Sequence, residues 1–411
     1  MKHLKKLVAA ICAVTITLSV AGCADVSTIG SIDDQTINAG IYLLYEQSAI
    51  SEAQEEVDDQ LKAMGTDSSK VENFSYFNYN VQDKTYSQYV QDRTLEQVKQ
   101  YVAIQKKFDE LKLTLTDEEK DNVKTSVKKM WDTEISYYGY STGKTYGQNY
   151  EAGGISKKSY EAVQLVNKMS EKVFDAYYEK NGISATDEKD IATYFYDNYG
   201  RFQIIQVSLK EGNGDKITGN GYNIPTDEGK KAKKEQAQGY VDRLLAGEDY
   251  ETIYHEYEDQ VAKEKADAEA ESNSGASSKA SSESSSAVSS ASETTSDDTT
   301  SSGTSGSEEE EHDHEFLLSK TDTSPSEEFV KWAFELETGK GGVYEDDSVY
   351  YAVVRCDIKE REDWLTENHS NVLHVMKDDD YKAMLNETAK DYALDLNNDA
   401  LNRYKPENLK K

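Results

Sequence analysis

Positive charge is scarce in this chain. It carries 46 lysines and arginines against 78 aspartates and glutamates, a net charge of −32. Such a body repels nucleic acid and anionic lipid surfaces, which excludes both as partners, and the charge keeps it dispersed in water. Cysteine is scarcer still: Cys12, Cys23 and Cys356 are the full complement. The first two fall in or just after an N-terminal apolar segment. The remainder then has Cys356 alone, and no intramolecular disulfide can form there in any redox compartment. No later apolar run approaches the roughly 20 residues needed to span a bilayer. A phosphate loop is also missing. Gly339-Lys340-Gly341-Gly342 reads as a turn before a strand, without the preceding strand and following helix that such a loop needs.

Histidine is also sparse, at 6 residues. His369 and His374 stand five apart and lack the i, i+4 spacing of a zinc-protease helix. His255 reads as a solvated helix residue. His312-Asp313-His314 follows Glu308–Glu311 and reads as an acidic patch rather than a metal site. Cys356 reads as a small buried hydrophobe rather than a nucleophile, because no histidine stands beside it in sequence. The expectation is no metal and no cofactor.

What is present begins at the N-terminus. Lys2, Lys5 and Lys6 precede an apolar stretch, Leu7 to Val20, that ends in Val20-Ala21-Gly22-Cys23. A basic start, a short apolar run and small residues before a cut are the layout of a secretory signal. The cysteine placed after them resembles a bacterial lipobox, whose cysteine is lipidated after cleavage. The expectation is a signal peptide over 1–22, a lipid on Cys23 and a tether over 23–31. Lipid chains supply ~0.8 kcal/mol per buried CH2 to hold the protein at the membrane. Localisation follows: the extracytoplasmic face of a bacterial membrane, of the Gram-positive type, with the lipid as the sole membrane contact. Tyrosine is abundant, 29 against 9 Phe and 3 Trp. Tyr combines a wide apolar face with a polar tip, which suits surfaces that grip other chains, and equally suits half-buried packing.

The length fits two or three domains. Ile32 to Ile37 reads as a short strand and turn, after which Asn38 is placed to cap a helix starting near Ala39. Helical spacing covers 84–112, where Tyr101, Ile104, Phe108 and Leu111 recur. Thr116-Asp117-Glu118-Glu119 fits a capping box for the next helix. Helices are expected over 156–180 and from Thr186 to Asn198, with a long Tyr/Gly/Asn loop at 137–154. The period then changes to a strand at 201–210, with Ile205, Val207 and Leu209 on one face. Helices follow at 227–246 and 249–258. A Ser/Thr/acid-rich insert at about 268–312 cannot form a core and is expected to be disordered. Ser326–Leu336 reads as helix and Val349–Cys356 as strand. The tail, 361–411, reads as two helical pieces, 363–376 and 379–404. The fold class is therefore α+β: a helical domain built from 32–199 and 361–411, with an α/β domain inserted over 200–360.

At this point the chain resembles the PrsA/SurA type of extracytoplasmic foldase. The residues that carry the resemblance are Ala185-Thr186-Asp187-Glu188 through Tyr199, the pair Leu245-Ala246-Gly247-Glu248-Asp249-Tyr250, the spacing of Phe329, Ala333, Phe334, Leu336 and Gly339, and the strand Val349–Val354. The resemblance implies that the inserted domain is parvulin-like, a four-stranded antiparallel sheet with helices, and that the helical domain cradles unfolded secreted polypeptides. Parvulins rotate X-Pro bonds, against a barrier of roughly 18–20 kcal/mol. Their paired sheet histidines fall here on Gln206 and on Tyr351, or on Ala352 one residue along. Asp259 stands near the acid or thiol position. Phe329 matches the pocket phenylalanine, while Pro325 replaces the pocket methionine and the glycine turn is missing. These losses imply a weak or absent isomerase, since Gln and Tyr can hydrogen-bond but do not copy a histidine pair, and fold alone does not establish activity. The expected function is a membrane-anchored chaperone. Its client-binding residues would be Tyr42, Tyr45, Tyr76, Tyr79 and Phe329, in a cleft between the helical and α/β parts. Two alternatives stay open: a working isomerase on Gln206, Tyr351, Asp259 and Phe329, and a surface scaffold that binds one specific partner.

Overall fold

The computed structural model describes residues 27–137, 140–209, 227–275 and 314–408. The expected signal segment, Cys23, most of the insert, His312 and Asp313 lie outside these residues. In chain order the elements are β1 (Thr28–Ile32), β2 (Gln35–Asn38), α1 (Ala39–Ala63), β3 (Asn80–Val81), β4 (Lys84–Thr85), α2 (Tyr86–Glu110) and α3 (Asp117–Asp132). Then come β5 (Glu134–Tyr137), β6 (Tyr140–Thr145), α4 (Tyr146–Ala152), α5 (Lys157–Tyr178) and α6 (Glu188–Asn198). The second half holds β7 (Tyr199–Ser208), α7 (Asp227–Leu245), α8 (Tyr250–Gly275), β8 (Phe316–Ser319), α9 (Glu327–Glu335), β9 (Gly341–Glu345) and β10 (Val349–Cys356). It ends with α10 (Glu362–Ala389), β11 (Leu394–Leu396) and α11 (Asn398–Arg403). The chain divides into two compact units, one of residues up to 191 with 368 onward, the other 192–367.

The first unit is closed by a three-stranded antiparallel sheet in the order β11-β1-β2, which pairs the two ends of the chain through Gly30↔Leu396 and Ile32↔Leu394. Gly30 is required here. Its φ is +117°, and a Cβ would sit 2.1 Å from the Asp395 carbonyl oxygen. Behind the sheet α1 packs on α2, and α2 and α3 pack on α5. The helix starts are chemically explicit. Thr85, Thr116 and Thr145 each accept from the N3 backbone while a Gln or Glu at N3 reaches back, forming three capping boxes. Asn38 precedes α1, but its side chain makes no capping bond.

Four local expectations are corrected. The 137–154 tract is a hairpin followed by a short helix rather than a loop: Thr, Tyr and Ile favour strand, and Thr145 starts α4. α8 does not stop at 258 but runs to Gly275, because Lys263 to Glu271 is built from Ala, Glu and Lys, all strong helix formers apart from one Asp. The insert expected to begin at 268 therefore opens with helix, and its stretch from 276 lies outside the described residues. The tail is one helix through 376–379, since no Gly or Pro interrupts it and His374 pairs with Asp378 one turn on at 2.9 Å. Its last part is not helical throughout: Leu394–Leu396 is drawn into the sheet by β1.

Glu46 on α1 is fully buried, and neither carboxylate oxygen has a partner among the described residues. Burial, helped by the nearby charge of Glu407, pushes its pKa well above the ordinary 4.5. A carboxyl that holds its proton more tightly when folded favours the folded state below the ordinary carboxylate range. That contribution is lost as pH rises through the folded value. Urea melts of wild type and Glu46→Gln should therefore coincide near pH 4. At pH 8 the variant should be the more stable of the two. A constant gap across that range would sink the idea.

The second unit is a four-stranded sheet, β8-β7-β10-β9, antiparallel throughout. This matches the expected small antiparallel sheet with helices. On one face Ile205, Val207, Leu209, Tyr350, Ala352 and Val354 pack under α7 and α8 through Ala237, Val241, Leu244, Tyr250 and Ile253. On the other, Phe202, Ile204, Leu318, Tyr351 and Val353 pack under α9 through Phe329, Val330 and Ala333. β7 is thus covered on both sides, which explains why its apolar residues run together at Ile204-Ile205.

Candidate functional site

The sheet face beneath α9 brings together three of the four positions singled out in the sequence. Gln206 and Tyr351 are direct cross-strand partners, and Tyr351 is paired on its other side with Tyr344. Tyr351 stands beside Gln206 on this face, while Ala352 packs in the opposite core. Ser326 caps α9 by accepting from the Phe329 amide at 3.0 Å, which fixes where the helix delivers its first apolar turn. The Phe329 ring then lies 4.8 Å from Tyr351 and 5.4 Å from Tyr344, and Trp332 lies 5.3 Å from Tyr344.

The fourth position does not join them. Asp259 is an exposed residue of α8, the helix that covers the other sheet face. The reason is helical phase: Tyr250 and Ile253 take the buried side of α8, and Asp259 falls outside that stripe. Phe329 is fully buried, so it is a core ring and not the open floor of a proline pocket. Tyr351 is also buried. Burial first, and the neighbouring Asp346 second, raise its pKa, so it stays a neutral phenol. The face therefore offers a hydroxyl, the exposed side-chain amide of Gln206 and a filled aromatic layer. Among the described residues it has no imidazole and no apolar opening at Phe329.

An open cleft of about 370 Å³ lies at the rim of this face, lined by Leu209, Lys230, Ser326, Glu328, Tyr344, Glu345, Asp346 and Asp347. Four carboxylates face one lysine there, and Lys234 pairs with Glu345 at 3.0 Å. A predominantly acidic lining favours cationic groups over a proline ring.

The tyrosines expected to bind clients divide into two pairs. Tyr42 and Tyr45 are core residues of α1, with Tyr42 6.5 Å from the Tyr404 ring and Tyr45 6.0 Å from Tyr101. Neither can meet a client, because helical spacing turns both into the interior. Tyr76 and Tyr79 are half-buried in the segment between α1 and β3. There Phe74 lies 4.7 Å from Tyr76 and 5.6 Å from Tyr79, and Phe77 lies 5.1 Å from the buried Tyr86. Phe77 is 39% exposed. Tyr76 points its hydroxyl at the Asp58 carboxylate, at 3.3 Å from both oxygens. The patch thus combines apolar ring edges with fixed polar groups. Two more tyrosines, Tyr137 and Tyr140, face each other at the end of the β5–β6 hairpin, 70% and 80% exposed. Sequence reasoning missed them by treating the hairpin as loop.

The chain is similar to solved structures of the foldase PrsA. One is the foldase protein PrsA from Streptococcus pneumoniae, at 14% identity and a TM-score of 0.34, covering 79% of this chain and 97% of that one. Another is PrsA from Bacillus subtilis, at 15% identity and a TM-score of 0.28, covering 78% of this chain and 93% of that one. No family model and no curated protein matches the sequence. Likeness to PrsA at this level assigns no role to any residue, so the site rests on its own geometry. Among the described residues no helix is long and apolar enough to cross a membrane.

One further cluster was not expected. His255, read as a solvated helix residue, and His314, read as part of an acidic patch, lie 5.3 Å apart ring to ring, with Glu251 beside both. The one sequence signal was the i, i+4 spacing of Glu251 and His255.

Proposed function

We propose that this chain is an extracytoplasmic chaperone, tethered through Cys23, that holds unfolded secreted polypeptides and whose sheet unit does not catalyse proline isomerisation. The observation that carries the reading is the half-open aromatic patch of Phe74, Tyr76, Phe77 and Tyr79 on the helical unit. Rings with exposed edges bury apolar client surface without reading its sequence, and tyrosine hydroxyls satisfy client backbone groups. The acidic surface adds affinity for basic segments and keeps the loaded complex dispersed. The secretory signal and the resemblance to PrsA/SurA foldases support the compartment and the client class. The closed layer at Phe329 and the missing histidines support a binding or structural role for the sheet unit.

The test uses the chain from residue 24 onward. At near-equal molar amounts it should slow aggregation of several unrelated denatured proteins. The exposed-edge variant Phe77→Ser with Tyr79→Ser should lose most of that effect while melting at nearly the same temperature. In the same preparation, NMR exchange on a short X-Pro peptide should match the uncatalysed rate, tens to hundreds of seconds. No protection of any client would overturn the holdase reading, and accelerated exchange would restore the isomerase.

A further inference from the structure

Glu251 and His255 stand one turn apart on α8, so both project from the same side of the helix. His314 comes from a different element, the residue pair that leads into β8. The ligand atoms of the three lie within 4.8 Å of one another. Each is held. The His314 ring stacks on Tyr254 at 4.2 Å, and its Nδ1 meets the Glu251 carboxylate at 2.5 Å. The His314 amide donates to the same carboxylate at 3.1 Å, and its carbonyl accepts from the buried Tyr250 hydroxyl at 3.1 Å. Glu258 meets Nδ1 of His255 at 3.1 Å. That leaves Nε2 of His255 directed elsewhere, the arrangement in which a carboxylate orients a metal-binding imidazole.

We propose that Glu251, His255 and His314 bind one divalent transition-metal ion of the zinc type. Two imidazoles and a carboxylate suit zinc, nickel or copper and do not suit calcium or magnesium, which prefer all-oxygen sites. Three protein ligands leave a fourth tetrahedral position to water. The ion acts as a clasp, fixing the chain that enters β8 against α8. Ligands from two elements that are distant in sequence are the reason: binding must then stabilise the folded unit, because the unfolded chain does not hold the three groups together.

The experiment is calorimetric titration of the metal-stripped chain with zinc chloride, paired with thermal melts in zinc and in chelator. One zinc per chain and a higher melting temperature in zinc are expected. The His255 side chain is 60% exposed, so His255→Ala should leave the fold intact and weaken binding by at least about 100-fold, and Glu258→Gln should weaken it about tenfold. His314→Ala should match His255→Ala, and His369→Ala should bind as wild type does. Calcium should not compete. Absence of saturable binding, binding that survives His255→Ala, binding lost instead in His312→Ala, or binding without any rise in melting temperature would each overturn the proposal.

Discussion

Phe329→Ala is expected to destabilise the sheet unit by about 3–5 kcal/mol, the usual loss for removing a buried aromatic ring. The ring is fully buried and shares a cluster with Phe202, Ile204, Val330 and Tyr351. Its deletion removes the transfer energy of the ring and leaves a void that α9 and the sheet cannot both collapse into, because each is fixed by its own hydrogen bonds. Against a typical stability of ~5–15 kcal/mol, that is roughly a fifth of the total or more. Phe329→Leu keeps most of the volume and should lose less, roughly 1.5 kcal/mol. Trp332, whose ring lies 6.3 Å from Phe329, gives a local fluorescence report of the unfolding of this face. The result also bears on function. A ring lining an open proline pocket can be cut back with little effect on stability. If Phe329→Ala melts like wild type, the face is open in solution and the isomerase reading returns.

The parts of the fold that were legible in the sequence are those set by local chemistry. Thr116 and Glu119 announced α3 because a capping box needs only four residues. Val349–Cys356 was legible because a strand covered on both faces shows a continuous apolar run. β11 was not legible: three residues become a strand only because β1, at the far end of the chain, supplies the hydrogen bonds. The same limit hid Glu46, whose burial depends on what packs over α1 and not on its neighbours in sequence. At the candidate site, Gln206 and Tyr351 were singled out only through the family resemblance, with Ala352 as the alternative, and their pairing is seen in the sheet itself. The phase of α8, which puts Asp259 on the wrong side, and the full burial of Phe329 are properties of packing. Tyr42 and Tyr45 illustrate the ambiguity of tyrosine itself. Composition left surface and half-buried roles equally open, and in α1 both side chains lie in the core.

The remaining large effect concerns the chain's return into the sheet. Glu315, immediately before β8, is 8% exposed and accepts from Arg201 through both oxygens, at 2.7 and 2.8 Å, and from Gln203 at 2.8 Å. Arg361 approaches the same carboxylate at 3.4 Å. Arg201 is itself only 14% exposed and has one other carboxylate, the exposed Glu360, at 2.8 Å. Glu315→Ala leaves this guanidinium buried with its bidentate partner gone, an alteration that typically removes 3–5 kcal/mol. The pair is not therefore worth that much, since both ions were desolvated to make it. Replacing both, Arg201→Met with Glu315→Leu, should recover most of the loss, because apolar side chains of similar size need no partner there. Urea melts of the two single variants and the double complete the cycle, with a coupling energy of roughly 2–3 kcal/mol expected. A double variant as unstable as Glu315→Ala alone would show that the carboxylate holds β8 through its bonds to Gln203 and Arg361, and that Arg201 is not the group whose burial sets the loss.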